Sequence, residues 1–197
     1  MEKMQSALLL GAGVGLVAYI ILIVGIWKGK YQQNFFTFLS WLLISLIVTI
    51  YTIKLGSGMT PGVITCIVMT IGLFATTVVI GERQGVVFST SAQQQMFALA
   101  LAMLAWWKFR HDGVANYGSI SALLIAGAPQ VWDILKSPNR KLILPYSLFC
   151  ITSILFFFGG SWSAKQIFYL VADFATPLTI VVLLVVSRIK TPLLKTA

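Results

Sequence analysis

The sequence predicts an all-α polytopic membrane protein of seven transmembrane helices, arranged as two parallel three-helix repeats around a linker helix (3+1+3). Three observations predict it. Of the 197 residues, 58 % are hydrophobic and only 10 % charged, too few charges to cover a soluble domain of that length. Seven mostly apolar segments each approach the roughly 20 residues that a membrane helix needs. Two stretches of the chain also repeat one another at a nearly constant offset. The composition excludes a soluble enzyme, a disordered tail and a secreted disulfide scaffold. A formal charge of +9 would suggest nucleic acid in a soluble chain, but there is too little polar surface here to form such a face.

The first span is Ser6–Trp27. Its apolar core is too long for a signal peptide and no small-residue cleavage site precedes Trp27-Lys28-Gly29-Lys30, so it reads as a retained helix. Phe35–Ile53 and Pro61–Ile80 complete a first bundle within residues 1–83. Ala92–Phe109 is the least apolar span, with Gln93, Gln94 and Gln95 at its entrance, and serves as the linker within 84–112. Val114–Leu135, Leu142–Phe158 and Ile167–Val186 form a second bundle, 113–197, with a short tail. Cys66 and Cys150 both fall within spans, far from oxidising solvent, so no disulfide is expected; with the single His111 they share no ligand spacing, so neither a metal site nor a cofactor is expected.

Basic residues set the orientation. One set of alternate connections holds five, Lys3, Lys54, Lys108, Arg110 and Lys165. The other holds nine, Lys28, Lys30, Arg83, Lys136, Arg140, Lys141, Arg188, Lys190 and Lys195. The second set belongs in the cytoplasm. The N-terminus is then outside and the C-terminus inside, in the plasma (inner) membrane.

Leu16-Val17-Ala18 leads into Ile26-Trp27-Lys28-Gly29, and 108 residues later Leu124-Ile125-Ala126 leads into Ile134-Leu135-Lys136-Ser137. Ser40-Trp41 or Ser147-Leu148 then opens the next helix. A glycine loop follows in each copy, Gly56-Ser57-Gly58 or Gly159-Gly160-Ser161. Each copy has three helices, an odd number, so one linker span restores the orientation and the copies are parallel. The competing explanation is that any two apolar stretches align somewhere.

The fifth span carries Ala128-Pro129-Gln130-Val131-Trp132-Asp133. Proline inside a membrane helix removes a hydrogen bond and bends the helix, and neighbouring polar groups must satisfy the carbonyl it frees. Gln130 is beside it. The kink is either static or the hinge of two rocking halves. Pro129-Gln130, Lys136-Ser137 and Leu144-Pro145-Tyr146-Ser147, taken with the helix count and the repeat, resemble the PQ-loop/SWEET superfamily in its bacterial-type members.

That resemblance implies carriage of a small solute, such as a sugar, by alternating access. Related branches carry amino acids or vitamins, or act as receptors. In SWEET sugar carriers the pocket is made by a Trp late in the second helix of each copy and an Asn midway along the third. The matching positions here are Tyr51 and Phe158 for the aromatics, and Thr70 and Asp173 for the Asn pair. This chain therefore has neither the Trp nor the Asn residues. Its first copy also has Ile20-Ile21-Leu22 where the second has Ala128-Pro129-Gln130, which implies unequal motion of the two halves.

Asp173 is the one acid well inside a span. An ionised group at mid-bilayer is expensive, so such residues face the bundle interior and take an ion, a proton or a polar substrate. Proton or cation coupling through Asp173 is thus expected. The alternative is a protonated acid bonded to a neighbouring helix. Pro177, one turn on, is expected to break this helix. Asp133 could pair with Lys136 at the surface, while Trp27, Trp106, Trp107 and Trp132 read as interfacial anchors. Asn116 and Tyr117 could line a vestibule or cap the fifth span.

The expected function is transport of a small-molecule substrate through the lipid bilayer, bound near Asp173, Thr70, Tyr51 and Phe158, with Pro129 and Gln130 as hinge. A receptor or sensor of the same architecture, without net transport, is the alternative; either could be a homo-oligomer. An intramembrane enzyme would need a catalytic constellation, and neither His-Glu-x-x-His nor Gly-x-Ser-x-Gly is present. A retinal photoreceptor would need a lysine midway along the last span, where there is none.

Overall fold

Helix boundaries fall where the local chemistry favours them. The computed structural model describes residues 2–55, 59–86, 95, 98–99, 112–159 and 164–193, and the side chains of 5–50, 52–53, 59–86, 95, 98–99, 123–159 and 173–187. Helix α1 (Glu2–Trp27) ends on Gly29 at φ 64°, the left-handed conformation that suits glycine. Lys30 N donates to Gly25 O at 2.8 Å and Gly29 N to Ile26 O at 2.9 Å, so the last carbonyls are paired by a Schellman motif. Helix α2 (Phe35–Leu55) starts behind Asn34, whose Oδ1 accepts from Thr37 N at 3.1 Å. Helix α3 (Pro61–Gln84) has Thr60 as its cap and proline at its first position, where no donor is lost.

Helix α4 (Asp112–Lys136) contains Pro129. A short 3-10 turn (Arg140–Leu142), capped by Asn139, leads into α5 (Ile143–Gly159). Helix α6 (Ala164–Leu193) runs without interruption through Pro177, where the sequence suggests a break. The proline removes only its own bond to the Asp173 carbonyl, and packing against both α4 and α5 keeps the two segments in line. The fourth predicted span, Ala92–Phe109, lies outside the described residues except for Gln95, Ala98 and Leu99.

Among the described residues, Gln5–Trp27, Pro61–Gln84 and Arg140–Gly159 are long and apolar enough to cross a bilayer, and Phe35–Ile50 and Asp173–Ser187 are shorter apolar stretches. The surface agrees. Leu10, Ile71 and Phe74 are 60 %, 59 % and 58 % exposed, with further apolar side chains on the outer face of every packed helix. A soluble monomer does not present apolar surface on that scale. The described chain is a helical protein suited to a membrane.

Helix α3 packs against α1 and α2, and α6 packs against α4 and α5. Across the two trios, α1 lies against α5 and α2 against α4. The α1–α5 seam is close along its length. A Cβ on Gly11 would lie 2.6 Å from the Phe156 ring, and one on Gly159 would lie 2.9 Å from the backbone nitrogen of Leu8. Small residues let the two backbones approach this nearly.

The ends of α1, α3 and α4 gather with the starts of α2 and α5, an arrangement termed here the loop end. The largest buried cluster is weighted towards it, with Ile26, Phe38, Ile80, Ile134, Leu142, Tyr146 and Leu184 drawn from both trios. Asp112 opens α4, a helix of 25 residues. At 1.5 Å per residue it lies about 36 Å from the loop end. The end of α3 and the start of α4 are therefore at opposite ends of the molecule.

Candidate functional site

Residues 28–34 join α1 to α2, and side chains from four other places hold them. Gln84 of α3 donates through Nε2 to Tyr31 O at 2.8 Å and accepts from Gln33 N at 3.0 Å. The buried Tyr146 hydroxyl donates to Gln33 Oε1 at 2.8 Å. Gln130, 1 % exposed, accepts from Asn34 N at 3.0 Å. Asn34 Nδ2 donates to Asp133 Oδ2 at 3.2 Å, and Asn139 Nδ2 donates to Lys30 O at 2.6 Å. A loop of the first trio is thus fastened largely by the second. Parting the trios here breaks the bonds to Gln130, Asp133, Tyr146 and Asn139. Each is worth about 0.5–1.5 kcal/mol net, and more where its loss strands a buried partner.

Gln130 turns its carboxamide oxygen across to Asn34 N of the first trio. One of these contacts differs from the sequence reading. Asp133 bonds Asn34 instead of Lys136, whose ammonium lies 5.3 Å from the Trp132 ring centroid. A second cation–π contact sits nearby, with the Arg83 guanidinium 3.5 Å over Trp27.

Deeper in each trio, the second and third helices share a polar contact. In the first trio, Thr70 Oγ1 meets Ser45 Oγ at 2.6 Å and Thr49 Oγ1 at 2.9 Å. In the second, Ser153 Oγ donates to Asp173 Oδ2 at 2.9 Å. Thr49 and Thr70 are 21 residues apart, and Ser153 and Asp173 are 20 apart. Asp173 is half-buried. Because Pro177 has no N–H to give it, the Asp173 carbonyl lacks its usual helical donor. One residue thus offers a carboxylate and a backbone oxygen at the same depth. That arrangement suits a proton, a cation or a donor group of a solute. No group of three metal-ligating side chains occurs among the described residues.

The expected binding residues are divided between the two trios. Thr70 is enclosed by hydroxyls of its own trio, and Asp173 lies in the other. Phe158 is 58 % exposed near the end of α5, edge-on to Phe157 at 5.7 Å. Tyr51 lies on α2, and its side chain is outside the described residues, as are those of Asn116, Tyr117 and Lys165. Trp106, Trp107, His111, Gln93, Gln94 and the loop residues Gly56, Ser57, Gly58, Gly160 and Ser161 are outside them too. Sequence reasoning missed Gln33, Asn34, Gln84, Asn139 and Tyr146. The polar run Tyr31-Gln32-Gln33-Asn34 was the available signal.

No family model matches this chain, and searches of curated proteins and of solved structures find no relative.

Proposed function

We propose that the chain carries a small polar solute across the membrane by alternating access of two three-helix bundles, α1–α3 and α4–α6, joined by the linker span. The reciprocal packing carries this reading. In each trio the third helix lies between the other two, and contacts between trios are exchanged, α1 with α5 and α2 with α4. Two parallel repeats related by a two-fold axis pack this way. The matched pairs Thr49–Thr70 and Ser153–Asp173 support the same relation. The opposite placement of Gln84 and Asp112 suits a crossing between them. The order is also the one implied by the PQ-loop/SWEET resemblance.

In this reading the loop end faces the cytoplasm and is closed by the bonds to Gln130, Asp133, Tyr146 and Asn139. Asp173 takes a proton or cation together with the solute. Pro129, two turns before the end of α4, is where that helix bends as the bundles part. Uptake of labelled D-glucose into proteoliposomes, with and without a proton or sodium gradient, tests the reading. Gradient-dependent uptake is expected in the wild type. Asp173→Asn should lose the dependence and slow uptake about 10- to 100-fold, as expected for a lost charge-assisted contact. Unchanged uptake in Asp173→Asn would sink the coupling. Binding without any flux would identify a receptor or sensor of the same architecture.

A further inference from the structure

Among the described residues, four buried side-chain atoms have no hydrogen-bond partner: Gln33 Nε2, Thr37 Oγ1, and both amide atoms of Gln95. Gln95 is 4 % exposed and Thr37 is 0 % exposed. Orphaned polar atoms are costly in any protein interior and more so inside a bilayer. A carboxamide with both ends unpaired is therefore a feature to be explained.

Packing brings two of these residues, Thr37 and Gln95, to one seam. Leu99, one turn after Gln95, clusters with Ile44 of α2 and Leu123 of α4, against Trp41. Thr37, Trp41 and Ile44 follow one another at i, i+4 and i+7, so they share one face of α2. That face meets α4, because Trp41 Nε1 donates to Leu123 O at 3.3 Å and Asn34 N donates to Gln130 Oε1. Gln95 precedes Leu99 by four residues, one helical turn, so the two share a face towards this seam.

The chemistry of the seam is uncharged. A carboxamide gives two N–H donors and one acceptor, and a hydroxyl gives a donor and two lone pairs. Trp41, Leu99 and Leu123 supply the apolar wall. Asp133, the acid on this stretch of α4, is engaged by Asn34. A charged ligand would lose its hydration against neutral dipoles, whereas a neutral group that both donates and accepts matches them. We propose that Gln95 and Thr37 form a binding subsite for an uncharged alcohol or primary amide in the α2–α4 seam, walled by Trp41. This deepens the carrier reading by naming the solute's functional group, and it rests on that reading only for how the solute reaches the seam.

Thermal unfolding of the full chain in lipid nanodiscs tests the proposal. D-glucose serves as the alcohol probe and acetamide as the amide probe, with acetate and methylammonium as charged controls. At least one neutral probe should raise the wild-type Tm, and neither charged control should. Gln95→Leu should raise the Tm without ligand, since it deletes two orphaned atoms. It should also weaken the neutral probe about tenfold or more, as loss of one neutral hydrogen bond does. Thr37→Val, which keeps the side-chain shape, should weaken the same probe and keeps the test decisive if Gln95→Leu does not fold. Two results would overturn the subsite: no wild-type shift with either neutral probe, which assigns the atoms to internal water, or a shift that survives both substitutions. Uptake that ignores Gln95 removes the subsite and leaves the carrier. A Gln95-dependent shift in a protein without flux removes the carrier and leaves the subsite.

Discussion

The two trios share an arrangement and differ in chemistry. In the first, the contact between second and third helices is made by uncharged hydroxyls, Ser45, Thr49 and Thr70. In the second, the corresponding contact contains Asp173, and prolines stand in both α4 and α6. In the repeat read from the sequence, Ile21 stands 108 residues before Pro129, where the second trio has its proline. One trio is therefore a regular scaffold held by neutral bonds. The other combines helices with missing backbone bonds and an ionisable group beside one of them. A rocking molecule built this way keeps its stiffness in the first trio and its response in the second.

Exchanging the prolines tests this division most severely. Ile21→Pro breaks a regular helix pressed against α5, and should cost about 3 kcal/mol or more in chemical unfolding. Pro129→Ala restores the bond to the Ile125 carbonyl, and should raise the Tm while slowing any transport cycle that bends α4. Equal effects of the two would erase the distinction.

Next in size is the polar contact of each trio. Ser153→Ala takes from Asp173 the hydroxyl that donates to it, at about 1.5–3 kcal/mol for a bond to a charged group, and less if the acid is protonated. Thr49→Val leaves Thr70 bonded to Ser45, at about 0.5–1.5 kcal/mol. Denaturant titrations of the two variants should rank in that order. The smallest expected difference is at the loop end. Arg83→Ala removes a cation seated 3.5 Å over Trp27 and should cost about 0.5–1 kcal/mol. Lys136→Ala removes one at 5.3 Å from Trp132 and should cost less. Salt should shrink both.

Much of the helical framework could be read from the chain, because its signals are local. Asn34, Thr60, Pro61 and Gly29 mark boundaries by chemistry that acts within one turn. The loop-end bonds could not be read. Gln33 and Tyr146 are 113 residues apart, and Asn34 and Gln130 are 96 apart; no periodicity encodes such pairs. The hydroxyls of α2 were visible at helical spacing but ambiguous. Thr76, Thr77, Thr152 and Thr179 spend theirs on their own helix carbonyls four residues back. Thr49 and Thr70 have the same composition and the opposite use. Pro177 misled for a related reason, since a helix held by two neighbours tolerates one missing bond.

The fastening of residues 28–34 also bears on how the protein is made. Asn34 waits for Asp133, which lies 99 residues further along the chain. At ribosomal speeds that is a delay of about 5–20 s. Throughout it, Lys30 O, Asn34 N and the Gln33 side chain lack the partners they have in the finished protein. The N-terminal half is thus a nascent intermediate whose last connection is completed only when Tyr146 of α5 emerges, after α4 and the turn at Asn139. A gene split between the halves would yield a native loop only when both pieces are made together.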